Sequence, residues 1–405
     1  MRILVITDEI YPDGVGGVGK SLYNECVALA KRGNLITIVV RALDSSLPEQ
    51  AIINGLNIVR ILGPQRHRWY YRLFPLIIIY YVTRWLRQYH DPVDIIYIHG
   101  AFYYIPVWLT RLGRKTVIVC SFYAAMDEYV RVLAQSGKYG RLKPFALLGA
   151  RLMGLIEQWA FYHSDAVLAR SYFSLEELRR VHPKAHVPRA DNLIPLSIDT
   201  NIYSLRSRSE VRKKLYLPES RPILITVRRL DGRMGLENLI EAMKDVSTKH
   251  PDVLLLMAGK GYLRPTLETL ITEHGLHDNV KLLGFVSEED LPLYLAASDI
   301  FVLPTESLEG FGLATVEALA SGIPVIGTPV GATPEILGPI EELLLTSDVT
   351  PSALAERLIY WLDHQDKLPE LSIRCRHFAE ELYSSTQVAE RLQTLFTELV
   401  TTQKR

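Results

Sequence analysis

The stretch "DIFVLPTESLEGFGLATVEALASGIPVIGT" (residues 299–328) decides the fold that we predict from the sequence. An apolar run leads into a polar, glycine-containing loop and a helical pattern, which Gly322 and Pro324 end before a second apolar run. This order predicts two parallel strands joined by a helix. The loop follows the carboxyl end of a strand, which is where open α/β sheets bind their ligands.

Short apolar runs of this kind recur on both sides of the opening stretch. Amphipathic segments lie between them, such as residues 20–32 and 235–246. The sequence therefore predicts an α/β protein of two Rossmann-like, doubly wound parallel-sheet domains. The predicted strands of the first series are residues 2–7, 35–40, 94–100, 116–122 and 165–171, and those of the second are 222–227, 253–259, 280–285, 299–304 and 323–328.

The length of 405 residues also favours two domains, because it exceeds what one ordinary hydrophobic core organises. Residues 192–220 carry prolines and charge without a strong period, and we interpret them as the linker. We predict an N-terminal domain over residues 1–200 and a C-terminal domain over residues 201–386. A last helix over residues 387–405 follows, and packing against the N-terminal domain is one of the positions open to it.

The composition excludes several classes of partner. Lys and Arg total 45, as do Asp and Glu, so the net charge is zero and gives no indication of a nucleic-acid partner. The three cysteines are widely spaced, which favours buried thiols in a reducing compartment. No D-x-D triplet or cluster with metal-ligand spacing occurs, so we expect no metal and no cofactor. Without a signal peptide or a membrane-spanning run, we predict a cytoplasmic protein, at most peripheral on the inner face of the membrane.

The chemistry of the opening stretch centres on two glutamates around its glycine turn. The helix start near Gly312 offers free N–H groups and a partial positive charge, which suit a phosphate. Glu317 lies roughly 7 Å along the helix axis, where a carboxylate can accept hydrogen bonds from two ribose hydroxyls. Alternatively, Glu309 is a solvated loop charge and Glu317 an exposed helix position, although apolar neighbours such as Val316 disfavour this.

The stretch "EGFGLATVE" (309–317) resembles the signature of the retaining GT-B glycosyltransferases of glycosyltransferase family 4, in which seven residues separate two glutamates. The flanking stretches "GTPVGATPEIL" (327–337) and "LLGFVSEEDLPLYLAASDIFVLP" (282–304) are similar to the family as well. The resemblance is more distant in "YPDGVGGVGKSLYNECVALAKRGNLITIVV" (11–40). It implies a GT-B fold, with an acceptor-binding N-terminal domain and a nucleotide-sugar-binding C-terminal domain that face a central cleft.

The resemblance also implies roles for individual residues. Glu317 would hold the ribose and Glu309 the hydroxyls of the donor sugar. The backbone of Phe311, Gly312 and Leu313 would lie near the sugar and the diphosphate. The implied reaction moves a hexosyl unit from a nucleotide diphosphate sugar to a hydroxyl acceptor (a glycan, a lipid-linked sugar or a small molecule) with retention of configuration and without a metal. The leaving phosphate would assist the deprotonation of the acceptor.

A second motif, "VRRLDGRMGLENLIEA" (227–242), gathers Arg228, Arg229 and Arg233 at the predicted carboxyl end of a strand. A leaving diphosphate needs such positive charge in the transition state, whereas the alternative is a solvated basic loop. The family has an arginine at the position of Arg229 and a lysine where this chain has Met234. Either Arg233 replaces the missing ammonium, or the diphosphate is stabilised less strongly.

The loop "GVGGVG" (14–19) spells G-x-G-x-x-G, the fingerprint of dinucleotide-binding proteins. It leaves an NAD-dependent oxidoreductase as one alternative function, although "DEIYPD" separates the loop from its strand. In the family, the loop lets the backbone approach the donor phosphate and the acceptor, and Gly16 and Gly17 are the matching pair. A flexible surface turn is the structural alternative.

His99 ends the predicted strand of residues 94–100, and Tyr123 lies in the loop after the next predicted strand, residues 116–122. Many family members have a histidine beside the donor sugar at the position of Tyr123, and a tyrosine can donate a hydrogen bond there but is not cationic at neutral pH. A lone histidine is more often structural than functional, but His99 ends a strand at the carboxyl end, where a site would lie, so both interpretations stay open. We predict a catalytic group of Glu309, Arg229, His99 and Tyr123. A non-catalytic nucleotide-sugar-binding homologue is the second alternative, because Met234 and Tyr123 depart from the family pattern.

Two segments, residues 66–90 and 137–157, combine basic residues with apolar ones. Such segments can lie on an anionic membrane surface, which would suit a lipid-linked acceptor. The alternative, which we favour from the sequence, is that both are ordinary helices packed on the sheet, with arginines extending along the surface to water.

Overall fold

The structure is a computed structural model that describes residues 1–14, 16–44, 46–62, 74–110, 112–114, 116–135, 140, 143–187 and 193–403. It has two compact units: Met1–Ser197 with Ser385–Arg405, and Ile198–Ser384. The predicted architecture of two parallel-sheet α/β domains is confirmed. Of the two basic segments, residues 66–73, 137–139 and 141–142 lie outside the described residues.

The first unit is built on a seven-stranded sheet in the order β3-β4-β2-β1-β5-β6-β7, parallel except for the pair β3–β4. Side chains alternate between the two faces, so Val5 lies in one core and its neighbour Leu4 in the other. The strands are β1 (Arg2–Thr7), β2 (Leu35–Ala42), β3 (Gln50–Ile53), β4 (Leu56–Leu62), β5 (Ile95–His99), β6 (Val117–Ser121) and β7 (Ala166–Leu168).

The second unit has a five-stranded sheet in the order β10-β9-β8-β11-β12, in which every pair is parallel. The opening stretch supplies the neighbours β11 and β12, with Phe301 opposite Val325. The strands are β8 (Ile223–Val227), β9 (Leu254–Ala258), β10 (Val280–Gly284), β11 (Ile300–Leu303) and β12 (Val325–Gly327).

Helices connect the strands and cover the sheets. Their ends follow local chemistry: Thr350 caps α13, its hydroxyl accepting from the N–H of Ala353, and Pro351 takes the first helical position. The helices are α1 (Gly17–Lys31), α2 (Phe74–Gln88), α3 (Tyr104–Thr110), α4 (Met126–Gln135), α5 (Lys143–Tyr162), α6 (Tyr172–Val181), α7 (Arg208–Lys214), α8 (Leu236–Lys249), α9 (Arg264–Glu273), α10 (Leu291–Ala297), α11 (Leu313–Ala320), α12 (Thr333–Leu337), α13 (Pro351–Asp363), α14 (Leu368–Tyr383) and α15 (Ser385–Gln403).

The last helix, α15, packs on α1 within the first unit. Val388, Leu392 and Phe396 are buried in one core cluster with Leu22 and Cys26 of α1. Burying a side chain of this size contributes about 1.5–3 kcal/mol, so α15 is an integral part of the first core.

Two elements differ from the expectations. The hairpin β3–β4 was not predicted, although Asn54 and Gly55, both with positive φ, form the Asn-Gly turn that is typical of such hairpins. Helix α7 lies inside the stretch interpreted as a linker. It is too short to show a period, and the buried Arg212 fixes it through a 2.7 Å bond to Asp299.

Candidate functional site

The strands β8 and β11 are neighbours at the point where the strand order of the second sheet reverses. Chain connections leave such a switch point in opposite directions, which opens a crevice at the carboxyl ends of the strands. Arg228 follows β8 there, and the loop of residues 304–312 joins β11 to α11. The predicted residues of the second unit lie around this switch point.

Glu309 is a buried carboxylate in that loop. Its Oε2 accepts a hydrogen bond from Nη2 of Arg228, with which it forms an ion pair, and another from the hydroxyl of Thr305 at 3.1 Å. The alternative of a solvated loop charge is therefore wrong. A buried carboxylate is tolerated only with such partners, and they fix its position in the crevice.

Arg233 stabilises the shape of the loop between β11 and α11, and its Nη1 is engaged there. That nitrogen donates to the carbonyl oxygens of Ser307 at 3.3 Å and Leu308 at 2.8 Å, and the N–H of Glu306 donates back to the carbonyl of Arg233. Leu308 has a φ of 59°, a conformation that side chains rarely adopt and that its surroundings must stabilise. The structure thus gives Arg233 a positioning contact that the sequence does not predict.

Two glycines bring the backbone close to this loop. A Cβ atom on Gly235 would lie 1.7 Å from the carbonyl oxygen of Pro304, and one on Gly331 would lie 1.9 Å from that of Glu309. Both glycines have positive φ, at 66° and 60°. Only glycine fits these places, so the loop that carries Glu309 is confined from two sides by backbone.

The start of α11 faces the same carboxylate. Gly312, with φ of 82°, precedes the first helical residue, Leu313, and Phe311 before it is buried. A Cβ atom on Gly312 would lie 3.0 Å from the Thr315 hydroxyl and 3.6 Å from the Glu309 carboxyl group, so both groups border this turn.

Further along α11, Glu317 is buried as well, which rules out the exposed helix position. Thr315 Oγ1 is buried and makes no hydrogen bond to any residue that the structure describes.

Arg228 and Arg229 are adjacent in sequence but differ in environment. Arg229 is exposed, and no described residue accepts a hydrogen bond from its guanidinium group. Arg228 is the arginine that contacts Glu309, although it is not among the site residues predicted from the sequence. The doubled arginine was the only signal, and it could not tell which side chain turns into the crevice.

In the first unit, the glycine-rich loop surrounds a carboxylate of its own chain. The N–H of Gly16, immediately before α1 begins at Gly17, donates to Glu9 Oε1. A Cβ atom on Gly14 or Gly16 would lie within 2.7 Å of the Glu9 side chain. An acid at a helix start is stabilised by the free N–H groups and the helix dipole, so Glu9 uses the anion-binding capacity of this end.

The strand ends of the first unit bring together His99 and Tyr123, with Nδ1 of His99 2.5 Å from the tyrosine hydroxyl. Nη2 of Arg170 donates to the same hydroxyl at 3.3 Å and to the Tyr97 hydroxyl at 2.8 Å. The fully buried Arg170 pairs with Glu25, whose carboxylate lies at 3.3 Å. A single buried guanidinium thus organises this cluster.

The protonation states of the pair follow from burial. Burial, assisted by the charge of Arg170, holds the pKa of His99 well below its usual 6.5. Burial raises the pKa of Tyr123, so its hydroxyl keeps its proton and can donate to Nδ1. His99 is then neutral with the proton on Nε2, a buried atom that has no hydrogen-bond partner among the described residues. His99 therefore offers a donor rather than a cation or a base.

Two features are absent from the described part of the chain. No group of three or more His, Cys, Asp or Glu side chains there is arranged to hold a metal ion. None of the described helices is both long enough and apolar enough to cross a bilayer.

Comparisons with known proteins match both units. The family model described as Glycosyltransferase Family 4 matches residues 15–202, and the one described as Glycosyl transferases group 1 matches residues 207–380. A GDP-mannose-dependent monoacylated alpha-(1-6)-phosphatidylinositol monomannoside mannosyltransferase of Corynebacterium glutamicum is 32% identical over 235 residues. That match covers 56% of this chain and 61% of the relative's length.

Solved structures extend the match to nearly the whole chain. Sucrose-phosphate synthase from Thermosynechococcus elongatus has a TM-score of 0.82 at 22% identity, with 99% of each chain covered. The Anabaena protein HepE, in complex with UDP and glucose, has a TM-score of 0.72 at 18% identity, with 98% of this chain and 99% of the other covered. At these identities the two structures establish the shared fold.

Proposed function

The chain belongs to glycosyltransferase family 4 and has the GT-B type of fold, and from this premise we propose that it transfers a hexosyl unit from a nucleotide diphosphate sugar to a hydroxyl acceptor with retention of configuration. The observation that carries the proposal is the buried pair of Arg228 and Glu309 beside the start of α11, with Glu317 further along that helix. Two buried acids and a helix start suit the hydroxyls and the phosphates of such a donor.

In the proposed reaction, Glu317 accepts hydrogen bonds from the ribose and Glu309 from the hydroxyls of the transferred sugar. Negative charge grows on the leaving diphosphate as the glycosidic bond breaks. The N–H groups of Phe311, Gly312 and Leu313 and the exposed guanidinium of Arg229 are suited to stabilise it, without a metal. The leaving phosphate takes the acceptor's proton, and the freed hydroxyl oxygen attacks the sugar.

For the first unit, we propose that it binds the acceptor. His99 would donate from Nε2 to a sugar oxygen, and Tyr123 would keep His99 in the required tautomer. The backbone at Gly16 and Gly17 would approach the reacting groups. This role for the neutral imidazole differs from that of a charged residue, since it orients a sugar but adds no positive charge.

Of the two alternative functions, one is overturned and the other is still open. Family membership overturns the NAD-dependent oxidoreductase that the loop "GVGGVG" suggested. A non-catalytic homologue remains the competing hypothesis, because Met234 and Tyr123 replace polar or charged residues of the family. Detectable transfer or hydrolysis of a nucleotide sugar by the purified protein would rule out that hypothesis.

For the acceptor, we propose a lipid-linked molecule at a membrane surface. The named substrate of the Corynebacterium relative is a phosphatidylinositol mannoside, which supports this class. Helix α5 adds a structural reason, because four of its large apolar side chains are 55–74% exposed: Phe145, Leu148, Leu152 and Leu155. Its exposed charged residues, Lys143 and Arg151, are both basic.

A thermal-shift experiment tests the donor assignment. We expect UDP, GDP or ADP, or one of the corresponding sugars, to raise the melting temperature, because a ligand at about 100 times its Kd stabilises by about 2.7 kcal/mol. Glu317→Ala should remove most of this shift, since the ribose loses its acceptor. Glu356→Ala, an exposed glutamate of α13, is the matched control. A shift that survives Glu317→Ala undiminished would disprove the ribose role.

A further inference from the structure

Arg228 has one arm of its guanidinium group without a partner. Its side chain is only 8% exposed, Nη2 donates to Glu309, and Nε lies 3.2 Å from Sδ of Met234. Nη1 is buried and makes no hydrogen bond to any residue within the described ranges. An unsatisfied buried donor costs on the order of 1–3 kcal/mol, and more when it is charged, so it requires an explanation.

A ligand anion is the explanation that best fits the surroundings. Arg228 and the turn at Gly312 both border the carboxylate of Glu309. The same turn is bordered by the Thr315 hydroxyl, which is also buried and without a hydrogen-bond partner among the described residues. Two unsatisfied donors therefore belong to residues that border Glu309 or the start of α11, where free backbone N–H groups already favour a phosphate.

Arg228 is the buried cation beside this candidate phosphate position, because the neighbouring residues do not supply one. Met234 is a neutral thioether, at the position where the family resemblance puts a lysine. Arg233 has Nη1 on the loop carbonyls, and Arg229 is exposed. The guanidinium of Arg228 lies within contact distance of the Met234 sulfur, so it brings positive charge close to where the lysine would stand.

We propose that Nη1 of Arg228 binds the phosphate that is joined to the sugar of the donor, and that Arg228 thereby replaces the lysine absent at position 234. The proposal rests on the proposed function and adds a residue to it. The planar fork of the guanidinium holds Glu309 with one arm and the phosphate with the other. The acid that recognises the sugar and the charge that stabilises its leaving group are therefore positioned by one side chain.

Variants at positions 228 and 234 test the proposal. The variants are Arg228→Gly, Arg228→Gln, and Arg228→Gly combined with Met234→Lys. Arg206→Gly, an exposed arginine of the same unit, is the control. The probes are the nucleoside diphosphate that stabilises the wild-type protein most among UDP, GDP and ADP, and the matching nucleoside without phosphate.

We expect Arg228→Gly and Arg228→Gln each to weaken diphosphate binding about ten- to a hundredfold, as befits a lost charged hydrogen bond, and to change nucleoside binding little. The double variant should regain at least half of the lost binding free energy, and the control should bind as the wild type does. Donor hydrolysis should follow the same order. Arg228→Gln keeps a hydrogen-bond donor near Glu309, so it also tests the charge if the glycine variant folds poorly.

Three outcomes would overturn the proposal. The first is unchanged diphosphate affinity in a folded Arg228→Gln variant. The second is equal loss for the diphosphate and the nucleoside, which would mean that Arg228 only maintains the shape of the site. The third is a folded double variant that binds no better than Arg228→Gly. If the wild-type protein responds to no nucleoside diphosphate, the proposed function itself fails, which is a separate result.

Discussion

At the scale of single residues, His99 shows how burial sets chemistry. The imidazole stacks edge-on against Tyr97, with ring centroids 4.3 Å apart, and shares a hydrogen bond with Tyr123. The nearest cation, Arg170, disfavours a second positive charge, while the paired Glu25 neutralises that cation. A histidine that stays neutral across physiological pH keeps the same donor available throughout.

Keeping His99 neutral lowers the stability of the folded protein at acidic pH. The unfolded chain binds a proton at about pH 6.5, whereas the folded chain does not, so stability falls as the pH decreases below that value. The slope from this group approaches about 1.4 kcal/mol per pH unit. We expect His99→Gln to lose less melting temperature than the wild type between about pH 7.5 and about pH 5.5.

The control for this measurement is His277→Gln, an exposed histidine, which should retain the wild-type pH dependence. Burial also raises the pKa of Glu25, which acts in the opposite direction at lower pH, but that contribution is common to all three proteins. If the melting temperatures of His99→Gln and the wild type change with pH in parallel, the assigned protonation state of His99 is contradicted.

The residues of the candidate site were predictable to different degrees. Glu309 and Glu317 follow from a local pattern, because the loop, the glycine turn and the helix are contiguous in sequence. Arg228 does not, because its contact with Glu309 spans 81 positions and depends on the pairing of β8 with β11. Tertiary contacts of this kind leave no periodic signal.

At the scale of secondary-structure elements, the loop between β11 and α11 depends on close backbone packing. Gly331 precedes α12, and its Cα hydrogen faces the carbonyl oxygen of Glu309. The N–H of Ala332 donates to that same carbonyl at 2.9 Å. Two consecutive residues therefore fix the backbone of Glu309, independently of its side chain.

A methyl group at Gly331 should displace this loop. Gly331→Ala combines left-handed strain of about 1–2 kcal/mol with a backbone collision, and we expect a total destabilisation of roughly 3 kcal/mol or more. Gly275→Ala is the matched control, since Gly275 has a φ of 66° but nothing within 4 Å of its added Cβ atom. Thermal unfolding measures both. Equal losses would show that strain alone, and not the contact with Glu309, determines the cost.

The elements themselves were largely predictable because parallel strands buried on both faces read as continuous apolar runs. All ten predicted strands correspond to observed ones, with ends shifted by up to three residues. In the hairpin that was not predicted, β3 lies at the sheet edge, where Ile52 is 82% exposed and the apolar pattern is broken, whereas most of β4 is buried and apolar, so only β3 lacks the signal.

At the scale of the whole molecule, the exposed apolar side chains of α5 are the feature that the sheet and its cores do not explain. The helix buries Ala150, Glu157, Ala160 and Phe161 on its other side. The sequence favours an ordinary packed helix, and that description fits only this buried side. Apolar side chains with a basic rim suit the interface of an anionic bilayer.

We expect the protein to sediment with vesicles of phosphatidylcholine and phosphatidylglycerol more than with phosphatidylcholine alone. Leu148→Ser with Leu152→Ser should reduce this binding at least fivefold, because two apolar anchors are lost. The control, Ile373→Ser with Tyr216→Ser, removes exposed apolar groups from the second unit. Equal vesicle binding by both double variants, or none by the wild type, would refute the proposed membrane contact.

The return of α15 to the first unit has a consequence for biosynthesis. A ribosome completes the whole second unit before it delivers the helix that covers the apolar face of α1. We expect the second unit to fold first although it begins later, and the first unit to remain incomplete until α15 has left the ribosome. Pulse proteolysis of stalled nascent chains that end before Ser385 would show a resistant second unit beside a sensitive first one.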